Sequence, residues 1–159
     1  MYKMKSVVLA LSALLISAGA YAHSQHQGQQ PPQGWNEGHM VNWFEIPVAN
    51  MERAAKFYGE ILAVEMKIEK NDEENYEMAV FPVKEGKVTG SLVRHEHMQP
   101  SDKGSVVYLN GGRDLSVVLN RLESAGGKII IPKTKIPGVG YFANFMDTEG
   151  NRIGLFSTN

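Results

Sequence analysis

Alternating apolar and polar residues begin at about residue 40 and predict a strand. Over residues 41–48, Phe44 and Ile46 fall on one face of an extended chain, and Trp43 and Glu45 fall on the other. Apolar residues confined to one face are typical of a strand that covers a core. We therefore expect Trp43 and Glu45 to point away from the core.

A helix and three more strands are predicted next. Asn50 has a side chain that can cap the helix, and Glu52 in the first turn suits the helix dipole. The apolar face of the helix follows the spacing i, i+3, i+4, i+7, i+8 and comprises Ala54, Phe57, Tyr58, Ile61 and Leu62. Strand-like runs separated by polar turns follow at residues 64–70, 75–83 and 88–95.

The same order of elements recurs in the second half of the chain. Residues 105–110 are strand-like, Asp114 can cap a helix, and residues 128–132 begin another strand. The helical stripe after this cap comprises Leu115, Val118, Leu119 and Leu122. A β-α-β-β-β unit is thus present twice, which predicts an α+β fold with tandem modules at residues 41–98 and 104–158.

The second module ends in a predicted β-hairpin. Two apolar, aromatic-rich runs flank the sequence Asp-Thr-Glu-Gly-Asn, so the turn is expected at Gly150 and Asn151. In the last strand, Ile153 and Leu155 share the core face, which places Gly154 on the opposite face. A glycine there predicts an open space that supplies no chemical group.

The first 39 residues are predicted to lie outside the folded domain. Residues 1–22 have two early lysines, a short apolar run and a small-x-small site ending at Ala22, which is typical of a cleaved signal peptide. An uncleaved anchor helix is the alternative, although the apolar run is short for a membrane span. Residues 23–39 form a Gln-, Pro- and Gly-rich leader that we expect to be disordered, and the domain covers residues 40–159. A periplasmic or secreted protein, with no membrane association after cleavage, is the resulting prediction.

Composition excludes several kinds of chemistry. The 159-residue chain has a formal net charge of −1, so no electrostatic case exists for nucleic-acid binding. It contains no cysteine, which excludes disulfides, thiolate catalysis and cysteine-ligated metals. A cysteine-free chain suits an oxidising compartment such as a bacterial periplasm.

Three motifs resemble the glyoxalase/bleomycin-resistance/dioxygenase family, also called the vicinal oxygen chelate superfamily. They lie at residues 48–58, 125–128 and 145–155. The resemblance implies that the two modules curl a mixed sheet around a cleft, with the helices outside. It does not fix an activity, because this family includes lyases, isomerases, dioxygenases, epimerases and drug-binding proteins.

Metal-using members of the family place His, Glu or Gln ligands on the first and last strands of each module. By resemblance, these positions fall on Trp43 and Gly154, on Val106 or Val107, and near Leu92 to Arg94. None of them supplies a good ligand for a divalent ion. The resemblance therefore implies a protein that binds a small organic molecule without a metal, and no cofactor is predicted.

Five residues are candidates for lining the cleft: Trp43, Glu45, Tyr141, Arg152 and Phe156. Glu45 could act as a base or bind a cationic group, or it could instead pair with a nearby Lys or Arg. Trp43 could stack on a flat ligand or fill the cleft floor. Arg152, like Arg94, suits an anionic ligand but is equally plausible in a surface salt bridge.

The alternative function is enzymatic and uses a metal held by Glu45 with His95 or His97. Such a protein would be a lactoylglutathione-lyase-like lyase or isomerase, or a dioxygenase. The two histidines share a face at the end of a predicted strand, although a solvated strand end is the simpler interpretation. A structural module acting through its sheet edges is a third class, and a homodimer is compatible with the resemblance.

One further segment resembles a loop that borders the cleft in a bacterial subgroup of the family. This segment, residues 133–140, contains Pro137 and two glycines. Such a composition predicts a bent loop that could close over a ligand.

Overall fold

The computed structural model describes residues 41–73 and 75–159, so the predicted signal peptide and leader lie outside the described residues. Two modules follow each other along the described chain. The first consists of β1 (Trp43–Pro47), α1 (Met51–Leu62), β2 (Ile68–Asn71), β3 (Tyr76–Val80) and β4 (Thr89–Arg94). The second consists of β5 (Tyr108–Asn110), α2 (Ser116–Leu122), β6 (Lys128–Ile136), β7 (Gly140–Met146) and β8 (Arg152–Ser157).

Each module forms one four-stranded mixed sheet, and the two sheets have the same topology. The strand orders are β1-β4-β3-β2 and β5-β8-β7-β6. In both sheets the first strand of the module runs parallel to the last, and the remaining neighbours are antiparallel. The predicted α+β fold with tandem β-α-β-β-β modules is confirmed, and neither sheet closes into a barrel.

Helix α1 forms as its sequence predicts. The Asn50 side-chain oxygen accepts a hydrogen bond from Arg53 N at 2.8 Å, which satisfies one backbone donor of the first turn. The buried residues of the helix are Met51, Ala54, Ala55, Phe57, Tyr58 and Ile61. Burial of each large apolar side chain contributes roughly 1.5–3 kcal/mol, so packing of this face holds the helix in place.

The start of α2 differs from the prediction. The helix begins at Ser116, and Asp114 accepts hydrogen bonds from Ser116 N at 2.9 Å and from Lys133 Nζ at 2.7 Å. The bond from Lys133 is the main reason that the pKa of Asp114 falls from 3.8 to about 2. Asp114 therefore joins the segment before α2 to strand β6, whereas the N-cap position of the helix is Leu115, which makes no side-chain capping bond.

The expected loop at residues 133–140 is mostly strand. Strand β6 continues to Ile136 and β7 begins at Gly140, so the connection is short. Register shifts flank Ile131, which accommodates Pro132 within an edge strand. The prediction of a bent loop that closes over a ligand is wrong for this segment, because its residues pair with β7.

The predicted hairpin at Gly150 connects the two modules. Asp147 is buried and accepts hydrogen bonds from Tyr58 Oη at 2.8 Å and from the backbone and side chain of Asn151. Asn151 in turn donates to Pro47 O at 2.8 Å. Burial, and then the adjacent Asp147 carboxylate, raises the pKa of Tyr58 well above its usual value, so this phenol remains a donor.

Glu149 forms the second part of this connection. Its side chain is 0% exposed and accepts hydrogen bonds from Ala49 N, Asn50 N and the Arg53 guanidinium at 2.7–3.0 Å. Burial alone would raise the pKa of Glu149, but the bonds from Arg53 and Asn50 N outweigh it and hold the pKa below its usual value. Together, Asp147, Glu149 and Asn151 form what we call the hairpin clamp.

Candidate functional site

Most of the side chains that the sequence predicts to line a cleft lie on one face of each sheet, opposite the core. In β1, Phe44 and Ile46 pack into the core, whereas Trp43 is 43% exposed and Glu45 is exposed. In β8, Ile153 and Leu155 are core residues, as predicted. We call the opposite face of each sheet the cleft face.

The two modules place equivalent residue pairs on their cleft faces. Glu45 on β1 lies opposite Ser91 on β4, and Tyr108 on β5 lies opposite Gly154 on β8. Val48 N, three residues after Glu45, donates to Val93 O in the first module. Gly111 N, three residues after Tyr108, donates to Phe156 O in the second module, so the two pairs are in the same register. Tyr108 is therefore the counterpart of Glu45, and Ser91 is the counterpart of Gly154.

The open space predicted at Gly154 is filled. The ring of Tyr108 lies against the glycine, and a β-carbon added at Gly154 would come within 2.5 and 2.6 Å of the Tyr108 Cε1 and Cγ atoms. Tyr108 Oη also accepts a hydrogen bond from Asn144 Nδ2 at 3.2 Å. The sequence prediction of a vacancy was wrong because it considered β8 without its neighbouring strand.

Arg152 is oriented by an amide rather than by a carboxylate. Its Nε and Nη2 atoms both donate to Asn144 Oδ1, at 3.1 and 2.6 Å. Asn144 is 1% exposed, and its own Nδ2 atom also donates to Ala143 O. Within the described part of the chain Arg152 forms no salt bridge, so its positive charge is positioned but not neutralised.

Three cavities border the segment 105–110, which contains β5. The largest has a volume of about 810 Å³, and we call it the apolar groove. It lies between the start of β1, the end of α1, the segment after β3 and strand β5. Its apolar lining residues include Val41, Phe44, Leu62, Val64, Phe81, Val83, Val88, Val107 and Tyr108.

The other two cavities are smaller and differ in chemistry. An aromatic pocket of about 360 Å³ is lined by Tyr108, Ile136, Phe142 and Phe156. A polar notch of about 170 Å³ lies between the end of β1, the start of β8 and the linker before β5. Side chains that bring charge or hydrogen-bonding groups to this notch are Glu45, Gln99, Ser101, Lys103, Ser105, Asn151 and Arg152.

The structure therefore distributes the predicted cleft residues over several places. Glu45 and Arg152 share the polar notch, and Phe156 lines the aromatic pocket. Tyr141 lies on the other face of its sheet, because it pairs with Ser157 rather than with Phe156. Its ring lies 4.5 Å below Lys133 Nζ and packs against the core, so it does not join the same wall as Phe156.

Glu45 has neither of the two environments considered for it. It is exposed, so it lacks the burial that favours a general base, and no salt bridge to it is present among the described residues. Its negative charge nevertheless affects Tyr76. Partial burial is the main reason that the pKa of Tyr76 is raised, and the Glu45 carboxylate is the second.

The alternative metal site does not assemble. His95 and His97 lie close together, with ring centroids 5.2 Å apart, in a turn after β4 where His97 pairs with Glu96. Over residues 41–73 and 75–159, no group of three His, Cys, Asp or Glu side chains is gathered as a metal site would require. Glu45, His95 and His97 therefore do not form a common ligand set.

The positions that the resemblance assigns to metal ligands do not fit a divalent ion here. The register places Val106 at the counterpart of Trp43, and Ser91, rather than Leu92 to Arg94, at the counterpart of Gly154. An indole, an isopropyl group, a neutral hydroxyl and a glycine provide no anionic or imidazole donor. The Ser91 hydroxyl is buried and has no hydrogen-bond partner in the described structure.

Sequence reasoning missed Tyr108 and Asn144. Tyr108 was hidden by the uncertain register of β5, which the pairing with Gly154 now settles. Asn144 had a recognisable signal, because it is the one polar side chain between apolar neighbours in the run 141–146. A buried amide in such a strand needs partners, and Arg152 and Tyr108 provide them.

Comparisons with known proteins agree with this fold. A family model for the Glyoxalase/Bleomycin resistance protein/Dioxygenase superfamily matches residues 40–155. A search of curated protein sequences gives no significant match.

Among the described residues, no helix is long and apolar enough to cross a membrane.

Similar solved structures include a binding protein and two enzymes. The antibiotic binding protein TnmS3 from Streptomyces sp. CB03234 is 26% identical, with 77% of this chain and 97% of that chain covered and a TM-score of 0.55. Glyoxalase I from Leishmania major is 16% identical, with 76% and 88% covered and a TM-score of 0.57. Glyoxalase I from Zea mays is 19% identical with a TM-score of 0.57, and the match covers 74% of this chain but 46% of the maize enzyme. From the matched family model and the duplicated β-α-β-β-β topology, we conclude that the chain belongs to the glyoxalase/bleomycin resistance protein/dioxygenase superfamily.

Proposed function

We propose that this protein is exported and binds a small, ring-containing organic molecule in the apolar groove, without using a metal. The observation that carries this proposal is the groove itself. Its volume of about 810 Å³ is within the range of roughly 300–1,000 Å³ that is typical of small-molecule sites. Its walls are mainly valine, leucine and aromatic side chains, which favour an apolar ligand.

Exposed apolar side chains around the groove support this assignment. Val41, Val83 and Tyr108 are between 50% and 54% exposed, and all three line the groove. Isolated exposed apolar residues are common on proteins, but a group of them around one concavity is typical of a binding surface. A ligand that covers them would remove apolar area from water at about 25 cal/mol per Å².

The chemistry of the cleft-face positions supports binding without a metal. Trp43, Val106 and Gly154 offer no ligand atom, and the Tyr108 ring covers Gly154. The similarity to TnmS3, an antibiotic binding protein, supports a binding role. The similarity to the two glyoxalase I structures carries only the fold, because their identities are 16% and 19%.

Binding can be tested with a fluorescent two-ring probe, 8-anilinonaphthalene-1-sulfonate, on the folded full chain. We expect fluorescence enhancement that persists after EDTA treatment. The variant Val83→Asp places a charge on the groove wall and should weaken binding at least about tenfold, equivalent to 1.4 kcal/mol. Val117→Asp is the matched control, because Val117 is 52% exposed on α2 and lies outside the groove.

Equal binding by both variants would overturn the placement of the ligand in the groove. Loss of binding after EDTA, restored by a stoichiometric divalent ion, would overturn the metal-free proposal. A panel of antibiotics that includes bleomycin, measured by displacement of the probe and by thermal shift, would then identify the ligand class, since a ligand that binds the folded state raises its apparent stability.

Export is tested separately by expressing the full chain in a Gram-negative host and fractionating the cells. The expected product is periplasmic and begins at His23, which mass spectrometry of the intact protein detects. An intact N-terminus in the cytoplasmic fraction would refute export and leave the binding proposal untouched.

A further inference from the structure

We infer that the polar notch is a second binding site, separate from the apolar groove, and that it takes a compact zwitterion. In this assignment Arg152 holds a carboxylate of the ligand and Glu45 holds its ammonium group. The notch and the groove share Val107, but their other lining residues differ.

The first argument is that two opposite charges line one cavity and are not paired. Glu45 and Arg152 both border the notch, yet the salt bridges found over the described residues include neither of them. By contrast, Arg94 is paired with Glu77 at 2.8 Å, and Arg53 is paired with Glu149 at 2.7 Å. A ligand carrying both charges would supply the missing partner of each.

The second argument is that Arg152 is positioned for an external anion. Two of its nitrogen atoms are held by the buried Asn144 oxygen, and the described hydrogen bonds leave Nη1 unused. Asn144 is itself fixed by Ala143 O and by Tyr108 Oη. A guanidinium held by a neutral acceptor keeps its full charge, and it matches a carboxylate in shape.

The third argument concerns the surrounding backbone and the size of the cavity. Ser101 N donates to Asn151 Oδ1 at 2.9 Å, and Arg152 N donates to Ser101 O at 3.4 Å, so the linker is fastened along the start of β8. The volume of about 170 Å³ corresponds to the bulk of roughly five or six waters at about 30 Å³ each. The site therefore suits a ligand of the size of a small amino acid.

The charge balance of the notch selects between ligand types. Lys103 also lines it, so a simple cation meets two positive side chains, and a simple anion meets Glu45. A zwitterion can direct its carboxylate to Arg152 and Lys103 and its ammonium group to Glu45. Like-charge contacts, which cost affinity, are then avoided.

The test uses isothermal titration of the full chain with glycine, β-alanine and 4-aminobutyrate, which place the two charges at increasing separations. Propionate and propylamine serve as probes with one charge each. We expect at least one of the three zwitterions to bind about tenfold or more tightly than both single-charge probes. Equal affinities, binding of propionate alone, or no binding of any probe would each overturn the inference.

Variants identify the residues responsible. Glu45→Gln should remove the preference for the zwitterion and should strengthen propionate binding, because a like charge is removed, whereas Arg152→Gln should weaken the binding of both. Arg152→Lys keeps the charge and should retain part of the affinity if the Gln variant proves unstable. Matched controls at exposed sites away from the notch, Arg113→Gln and Glu123→Gln, should behave like the natural protein.

Zwitterion binding that survives both Glu45→Gln and Arg152→Gln would refute the assignment to the notch. Binding of 8-anilinonaphthalene-1-sulfonate should be unchanged in Glu45→Gln, which separates this site from the groove. Failure of the groove proposal therefore leaves the notch proposal standing, and the reverse also holds.

Discussion

The contact between Tyr108 and Gly154 predicts that Gly154→Ala destabilises the natural protein but stabilises a variant that lacks the Tyr108 ring. In the natural protein, Gly154→Ala brings a β-carbon to within 2.5 Å of Tyr108 Cε1, far inside the ordinary contact distance. Tyr108 is 50% exposed, so its ring can move outward into solvent. The ring would then lose its contact with β8 and its 3.2 Å hydrogen bond from Asn144.

The size of the effect follows from these losses. A neutral hydrogen bond contributes about 0.5–1.5 kcal/mol, and overfilling a packed contact costs about 1–3 kcal/mol, so we expect Gly154→Ala to lower the free energy of unfolding by about 1–3 kcal/mol. In a Tyr108→Ala background the obstruction is gone. Gly154 lies in a strand and not among the residues with positive φ, so alanine there should raise the free energy of unfolding by about 0.4–1 kcal/mol.

The assay is a double-mutant cycle measured by urea unfolding of the natural chain, both single variants and the double variant. We expect a coupling free energy of at least about 1.5 kcal/mol between the two positions, within the range known for residues in contact. Additive effects within about 0.5 kcal/mol would show that the ring does not rest on Gly154, and the reasoning would then be refuted.

Three further predictions concern carboxylates and their partners. Tyr58→Phe removes a donor from buried Asp147 and should lower the free energy of unfolding by about 1.5–3 kcal/mol in urea unfolding. Glu149→Gln replaces a buried acceptor of several charge-assisted bonds with an amide and should cost a similar 1.5–3 kcal/mol, whereas Arg53→Gln, at a half-exposed partner, should cost less. The folded-state pKa values of Glu149 and Asp114 lie below their ordinary values of 4.5 and 3.8, and that of Asp114 is about 2. The stability that each carboxylate contributes is therefore present above its ordinary value and is lost as pH falls through its folded-state pKa. Urea midpoints measured between pH 7 and pH 2 should show this loss, and Asp114→Asn should reduce its slope below about pH 4.

Controls for these predictions come from the same chain. Tyr76→Phe removes a hydroxyl that contacts only the Met78 sulfur at 3.4 Å among the described hydrogen bonds, so it should change stability by less than about 0.5 kcal/mol. A loss as large as that of Tyr58→Phe would contradict the importance given to the Asp147 bond. Identical acid slopes for Asp114→Asn and the natural chain would contradict the role of the bond from Lys133.

The repeated architecture was predictable because it depends on local periodicity. The Asn50 cap, the stripe of α1 and the alternation of Ile153 and Leu155 each involve residues that are close in sequence, and all are confirmed. Elements of this kind follow from helix and strand geometry. Their order, present twice, was sufficient to indicate the tandem modules, whereas the family was indicated by the resemblance of three sequence motifs.

The candidate site was less predictable because it depends on contacts between distant strands. Gly154 was expected to leave a space, yet Tyr108 from another strand occupies it. The face of Tyr141 follows from its pairing in β7, which the aromatic run alone did not indicate. The sequence predicts Glu45 and Arg152 as separate candidates for binding a ligand, and only the fold shows that they line the same cavity.

The hairpin clamp makes the beginning of the domain depend on its end. Glu149 binds the backbone at Ala49 from 100 positions away, and Asn151 reaches Pro47 across 104. Closing so long a loop costs conformational entropy, which is offset only after the contacts have formed. The amino-terminal turn of α1 thus gains its last partners only after the turn before the final strand has been synthesised, so a chain shortened before Asp147 leaves the first module incomplete rather than folded as an independent half.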